Sequence, residues 1–483
     1  MFKDEQRDNV WQRVRQRGLQ PFAEILTPEA MQAAAQDAGV RIGASPLNAR
    51  NLTWLGIVSA LHTAKNFADV LVLTLKLLDD FQCQVSQPSS KRPKGKSGKR
   101  SKHDPRGTGS QISEEAFVQA RQKLPLKFWL CLLLVLSDQF QKKHPEHVRW
   151  KRFRLLMLDG SDIALPRWKR LLDHYGAAGS GQARTPQARM LMLAFAQARL
   201  PWRYEIVPQS CHEQTAAKRL LQHLAPDDLV LMDRGFWSYG LFWQIQQRQA
   251  FFAIRLRAGV PLRRRKRLGT KDELVEWTPT ARSKKHCTWA GTGLPKTITL
   301  RVIHYQVRGF RASAVVTNVL DPHDITREEW VRMASTDERG VVLEAGLYHR
   351  RWEIETMFYE LKVVQRMEGS FRSRTPQGIE FEIAGHVLLY LLIRWLMVEA
   401  AAKHQAHPLR LSFTHALREF DDLRILFIIS SSKDVRTVLL PRLLDRIAQH
   451  RITVRPGRHY PRAGDKYALG KYRKRSKIKA KQT

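Results

Sequence analysis

Between Leu347 and Lys362 the chain reads LYHRRWEIETMFYELK. At about 100° per residue, a helix over this stretch gathers Tyr348, Arg351, Glu355 and Lys362 into one narrow arc. Leu347, Ile354, Phe358 and Leu361 form the neighbouring apolar stripe, and Glu353 and Glu360 point away from the arc. A carboxylate flanked by a phenol, a guanidinium and an ammonium suits a phosphate or metal site. An ion-paired surface helix uses the same residue types, so the rest of the chain has to decide.

Two further acids follow compact apolar runs. Leu155-Leu156-Met157-Leu158 leads into Asp159-Gly160-Ser161, and Leu229-Val230-Leu231-Met232 leads into Asp233-Arg234-Gly235-Phe236. Runs of this kind are typical of strands buried on both faces. An acid at such a strand's C-terminal end meets solvent from a rigid backbone. Singly, an Asp before Gly is more often a turn former, and Asp162 is a rival beyond the Gly160 turn. Brought together, two aspartates repel unless a cation lies between them. Hard oxygen donors favour Mg²⁺ or Mn²⁺. With Glu355 the set can serve an in-line phosphodiester displacement with metal ions about 3.5–4 Å apart.

Composition narrows the partner. The 483 residues include 82 Lys+Arg against 45 Asp+Glu, a formal net charge of +37. Hydrophobic content of 43% with 13 Trp points to a folded chain, not a disordered basic polymer. So large an excess calls for a polyanion, of which nucleic acid is the commonest. A membrane surface competes, but no basic amphipathic anchor accompanies a lipidation signal. Cys83, Cys131, Cys211 and Cys287 form no CxxC pair, which fits a reducing cytosol and no zinc ribbon. Charge from Met1 to Arg17 argues against a secretory signal. The apolar runs Leu124 to Leu136 and His386 to Val398 are short and read as buried helices of a soluble, cytoplasmic protein.

These elements set an order along the chain. Residues 1–150 read as a helical DNA-binding region, interrupted at 87–109 by a basic linker suited to phosphate backbone. Within it Ser113 is a candidate N-cap. Residues 151–256 carry strands alternating with helices, as an α/β core does. The segment 257–322, with the basic run Arg263 to Arg267, reads as an inserted β subdomain. Residues 323–405 return to the core, with a long helix from about Ile379 to Ala402. A helical region and basic tail fill 406–483.

Asp159 in LDGS, Asp233 in MDRGF and the spacing Y-x2-R-x3-E-x6-K from Tyr348 to Lys362 resemble the IS4-type insertion-sequence transposases with an Asp-Asp-Glu core. The likeness runs from about Leu155 to Ala402. It implies a ribonuclease H-like fold with a mostly β insertion in the 121 positions between Asp233 and Glu355. It also implies Mg²⁺-dependent cleavage at element ends and strand transfer into target DNA, by a homodimer on DNA in a bacterial cytoplasm. On this resemblance Asp159, Asp233 and Glu355 hold metal, and Tyr348, Arg351 and Lys362 contact terminal DNA. Trp289 and Trp277 are candidates to stack a flipped base during a hairpin step. A non-catalytic DNA-binding relic, or a nuclease that cuts without joining, would share much of this pattern.

Overall fold

The computed structural model describes residues 20–70 and 114–452, apart from 44, 46, 67–68, 179–183, parts of 282–293, 307–311, 333–334, 337–341 and 344–345. The linker at 87–109, Ser113, Cys83 and the basic tail lie outside the described residues.

Among the described residues a four-residue helix at Gln20–Ala23 precedes four longer ones: α1 (Pro28–Ala38), α2 (Ala49–Leu61), α3 (Glu114–Lys123) and α4 (Leu126–Lys143). Thr27 and Asn48 cap α1 and α2 by accepting from the backbone N–H groups of Ala30 and Asn51, as short polar side chains do at helix starts. The sheet follows. Its core strands are β1 (Phe153–Ala164), β2 (Thr185–Phe195), β3 (Leu200–Pro208), β4 (Asp228–Met232) and β5 (Phe251–Arg255). They lie in the order β3-β2-β1-β4-β5. β1, β4 and β5 are parallel, and β2 and β3 are antiparallel additions beside β1. Helices α5 (Glu213–Leu221) and α6 (Tyr239–Gln247) connect the later strands. β4 is buried along its whole length, the burial expected of a central parallel strand.

The segment expected to form an inserted β subdomain extends this sheet. β6 (Leu262–Gly269), β7 (Asp272–Trp277), β8 (Ile298–Tyr305) and β9 (Ser313–Thr317) are all antiparallel. β9 pairs with β5 through Val315↔Arg255 and Val316↔Ile254. The order beyond the core is therefore β5-β9-β8-β7-β6, in one eleven-stranded sheet completed by two-residue strands at Arg149–Trp150 and Ala177–Ala178. Pairing to β5 satisfies an edge that would otherwise stay open.

A short 3₁₀ turn (Leu347–Arg351), α7 (Trp352–Tyr359) and a π-helical turn (Glu360–Val364) follow, then α8 (Pro376–Lys403), α9 (Phe413–Ile429) and α10 (Leu440–Gln449). α8 is long and apolar enough to cross a membrane, yet its apolar window is entirely buried. It packs on α2, with Gly56 and Gly385 at the crossing, so the N-terminal helices share one hydrophobic core with the sheet.

Candidate active site

Register brings the two aspartates together. Leu158 of β1 pairs with Met232 of β4 in parallel, so the next residue on each strand, Asp159 and Asp233, are neighbours. Adjacent strands lie about 4.8 Å apart. The expectation that β1 ends at Asp159 needs correction: the strand runs on to Ala164 because β2 continues to pair with it. Asp159 is instead the first residue of β1 past the end of β4. Asp233 does leave its strand, and begins a 3₁₀ turn over Arg234–Phe236.

The single helix expected across Tyr348 to Lys362 is three helical segments, 3₁₀, α and π. Its apolar stripe is buried as expected, at Leu347, Ile354, Phe358 and Leu361. The tight first turn carries Tyr348 inward. Its ring is 3% exposed and its hydroxyl donates to the Met232 carbonyl at 3.1 Å. Burial pushes the phenol pKa upward. Tyr348 thus fastens the end of β4 just before Asp233 and does not face solvent, contrary to its expected place on DNA. The uniform 100° reading missed this because 3₁₀ winding is tighter.

Arg351 is buried among the acids. Both terminal nitrogens reach Glu355 Oε1 at 3.1 Å, and one lies 3.8 Å from Asp159 Oδ2. The Trp352 ring covers its guanidinium at 4.3 Å. Burial alone would lower the Arg351 pKa, but Tyr348, Glu355, Asp233 and Asp159 together hold it above its ordinary value. Asp159 is pushed up to about 7, first by burial and further by Asp233 and Glu355, against the Gly160 N–H and Arg351. These are the signatures of acids crowded into one partly dry place.

Lys362 reaches back across the site. Its Nζ donates to the Asp162 carbonyl at 2.6 Å and to Ser161 Oγ at 3.3 Å, and pairs with Glu368 at 2.8 Å. The rival acid Asp162 is bound by Arg189 at 2.8 Å. Because strand side chains alternate, Asp162 and Gly160 face away from Asp159. Glu213, at the start of α5, lies against Gly160 and within 3.9 Å of Arg189. Sequence reasoning passed over Glu213, and no local motif marks it.

The tryptophans separate. Trp277 is 5% exposed and packs with Trp237, Tyr239 and Phe242, so it is core. Trp289 is 38% exposed, with Lys218 of α5 5.2 Å from its ring and Gly240 of α6 beneath it.

Among the described residues no group of three or more His, Cys, Asp or Glu side chains is already arranged around a metal position. Asp159 and Asp233 are adjacent, whereas Glu355 reaches Asp159 through Arg351. The donor set is all carboxylate, and a raised Asp159 pKa is the cost a divalent cation would remove. In donor chemistry and charge the residues fit Mg²⁺ or Mn²⁺.

Comparison with known proteins identifies the family. A transposase DDE domain model matches residues 150–392. The chain is 25% identical over 366 residues to the transposase InsG for insertion sequence element IS4 of Escherichia coli (strain K12), covering 73% of this chain and 76% of that protein. A cryo-EM structure of the piggyBac transposase synaptic complex with hairpin DNA covers 91% of this chain and 86% of its own, with 10% identity and a TM-score of 0.36. A domain match spanning 150–392 of the 483 residues, and containing all three acids, places the chain in the transposase DDE domain family, as an IS4-type transposase.

Proposed function

We propose that this transposase binds the terminal inverted repeats of an insertion sequence, cleaves the strands at its ends and joins them to target DNA. The reading rests on one observation above others: the Leu158↔Met232 pairing that makes Asp159 and Asp233 neighbours beneath the Glu355 helix. Asp159, Asp233 and Glu355 would hold Mg²⁺ or Mn²⁺. Bound there, the cation would lower the pKa of the attacking water or 3′-hydroxyl and offset charge on the phosphate.

The chain's own residues do the rest. Lys362 and Arg351 hold phosphate oxygens beside the scissile bond. For Arg351 this means exchanging Glu355 for phosphate, which frees Glu355 to serve as a ligand. Tyr348 keeps the β4 end, and with it Asp233, in place. Trp289 is an exposed ring able to stack on a displaced base. The sheet core β3-β2-β1-β4-β5 is the ribonuclease H-like part of the protein, and a homodimer on DNA would hold the two ends together.

The test is strand cleavage of DNA bearing the element's terminal repeats in Mg²⁺. Asp233→Ala should reduce cleavage by at least a thousandfold while DNA retardation persists. Cleavage that survives Asp233→Ala would overturn the assignment. One observation favours a second reading, a DNA-binding protein that does not cut: Arg351 already pairs with Asp159 and Glu355. That version predicts retarded DNA with no nicking at any cation concentration.

A further inference from the structure

Arg199 is 5% exposed and sits in the tight turn between β2 and β3 at φ 50°, a conformation rare outside glycine. Its Nε donates to Glu353 Oε2 at 2.5 Å and its Nη1 to Glu360 Oε1 at 2.8 Å. Tyr390 of α8 donates to the other Glu360 oxygen at 2.6 Å. Arg394 of α8 donates twice to the carbonyl of Ala198, at 2.9 and 2.7 Å. The turn is therefore locked to two helices.

The two carboxylates that Arg199 grips flank Glu355 on the other side of its helix. Glu353 stands two residues before it, and Glu360 stands five after, where the winding changes from α to π. Residues seven apart share a helix face and are separated by about 10 Å along the axis. A helix gripped at both points resists rotation and sliding. A rotation of about 20° would displace a side chain at the helix rim by roughly 2 Å, whereas a working constellation tolerates about 0.5 Å. The grip also couples acids: β2, which ends in this turn, is paired with β1 through Met192↔Asp159.

We propose that Arg199 is a positioning residue that sets the rotation of the Glu355 helix against the Asp159 strand. Stability alone is a weak reason to keep such a cluster, since apolar replacements of buried ion pairs are often no less stable. The proposal rests on the reading of the three acids as cation ligands, so its test measures cation binding separately from cleavage.

The experiment compares wild type, Arg199→Gln and Arg199→Lys by Mn²⁺ binding, followed by electron paramagnetic resonance, and by thermal unfolding. Partners outside a ligand shell typically govern metal affinity by tenfold to a hundredfold. Arg199→Gln should weaken Mn²⁺ binding about tenfold in protein that remains folded, and Arg199→Lys should recover part of the loss. Duplex DNA retardation should change less than twofold. Unchanged Mn²⁺ affinity alongside a lowered unfolding midpoint would reduce Arg199 to a structural residue and overturn the proposal. If Arg199→Gln does not fold, Glu353→Gln removes one grip and leaves Glu360. A loss of about threefold in affinity then supports the proposal, and no loss overturns it. Wild-type protein whose Mn²⁺ binding ignores Asp159→Asn would instead sink the cation-site reading itself.

Discussion

Asp159 titrates near 7 because folding removes its water and places Asp233 and Glu355 beside it. An acid whose pKa rises on folding stabilises the fold fully below its unfolded value near 3.8, and that contribution is lost as pH climbs toward 7. Without divalent cation, Asp159→Asn should therefore raise the unfolding midpoint relative to wild type, by a margin that widens as pH is raised from about 4 to 8. Below neutrality the cation must also displace a proton. Calorimetry in buffers of different ionisation enthalpy should detect proton release on Mn²⁺ binding near pH 6 and none near pH 9. Arg351 gives a prediction of opposite signs. Arg351→Gln removes the positive charge competing with a cation for Glu355 and Asp159, so Mn²⁺ affinity should rise several-fold. Cleavage should fall by at least a hundredfold, because the phosphate loses its guanidinium. A variant that loses both together would show that Arg351 builds the site and does not compete for it.

Packing of α2 on α8 depends on two glycines. A Cβ at Gly385 would meet the Gly56 carbonyl oxygen at 2.5 Å, whereas a Cβ at Gly43 would meet nothing within 4 Å. Gly385→Ala should cost about 1–3 kcal/mol in denaturant unfolding, the usual range for overpacking, and Gly43→Ala should cost far less. An equal effect of the two would show that the helices separate without penalty. How much of this was legible beforehand follows a physical rule. The apolar runs before Asp159 and Asp233, and the stripe Leu347, Ile354, Phe358 and Leu361, are local patterns, and each packs as its spacing implies. Arg199 is 154 and 161 positions from the two glutamates it holds, a separation that no periodicity records. The inward turn of Tyr348 depends on a change of helical winding, and the sheet extension on which edge β9 finds. Both are decided by tertiary pairing and not by residue type.

Charge on the molecule has a definite location at the far end of the sheet. β6 is the edge strand and its residues 263–267 are Arg-Arg-Arg-Lys-Arg, all exposed. Arg264 and Arg265 pair with Glu273 and Glu276 of β7. Arg263, Lys266 and Arg267 have no acidic partner among the described residues. Five strand steps separate β6 from β4, roughly 24 Å along the sheet, or about seven base pairs of duplex. Charged edge strands also guard sheets against pairing with another chain, so the strand has two physical explanations. Salt dependence separates them. Each phosphate neutralised contributes about 0.9 to the slope of log affinity against log salt concentration. Replacing Arg263, Lys266 and Arg267 together by Gln should therefore flatten the slope by nearly three if all three meet phosphate. The unfolding midpoint should stay close to wild type, because exposed substitutions usually alter stability by about 0.5 kcal/mol or less. An unchanged slope, with the triple variant now prone to aggregate, would assign the basic run to edge protection and confine DNA contact to the face that carries the acids.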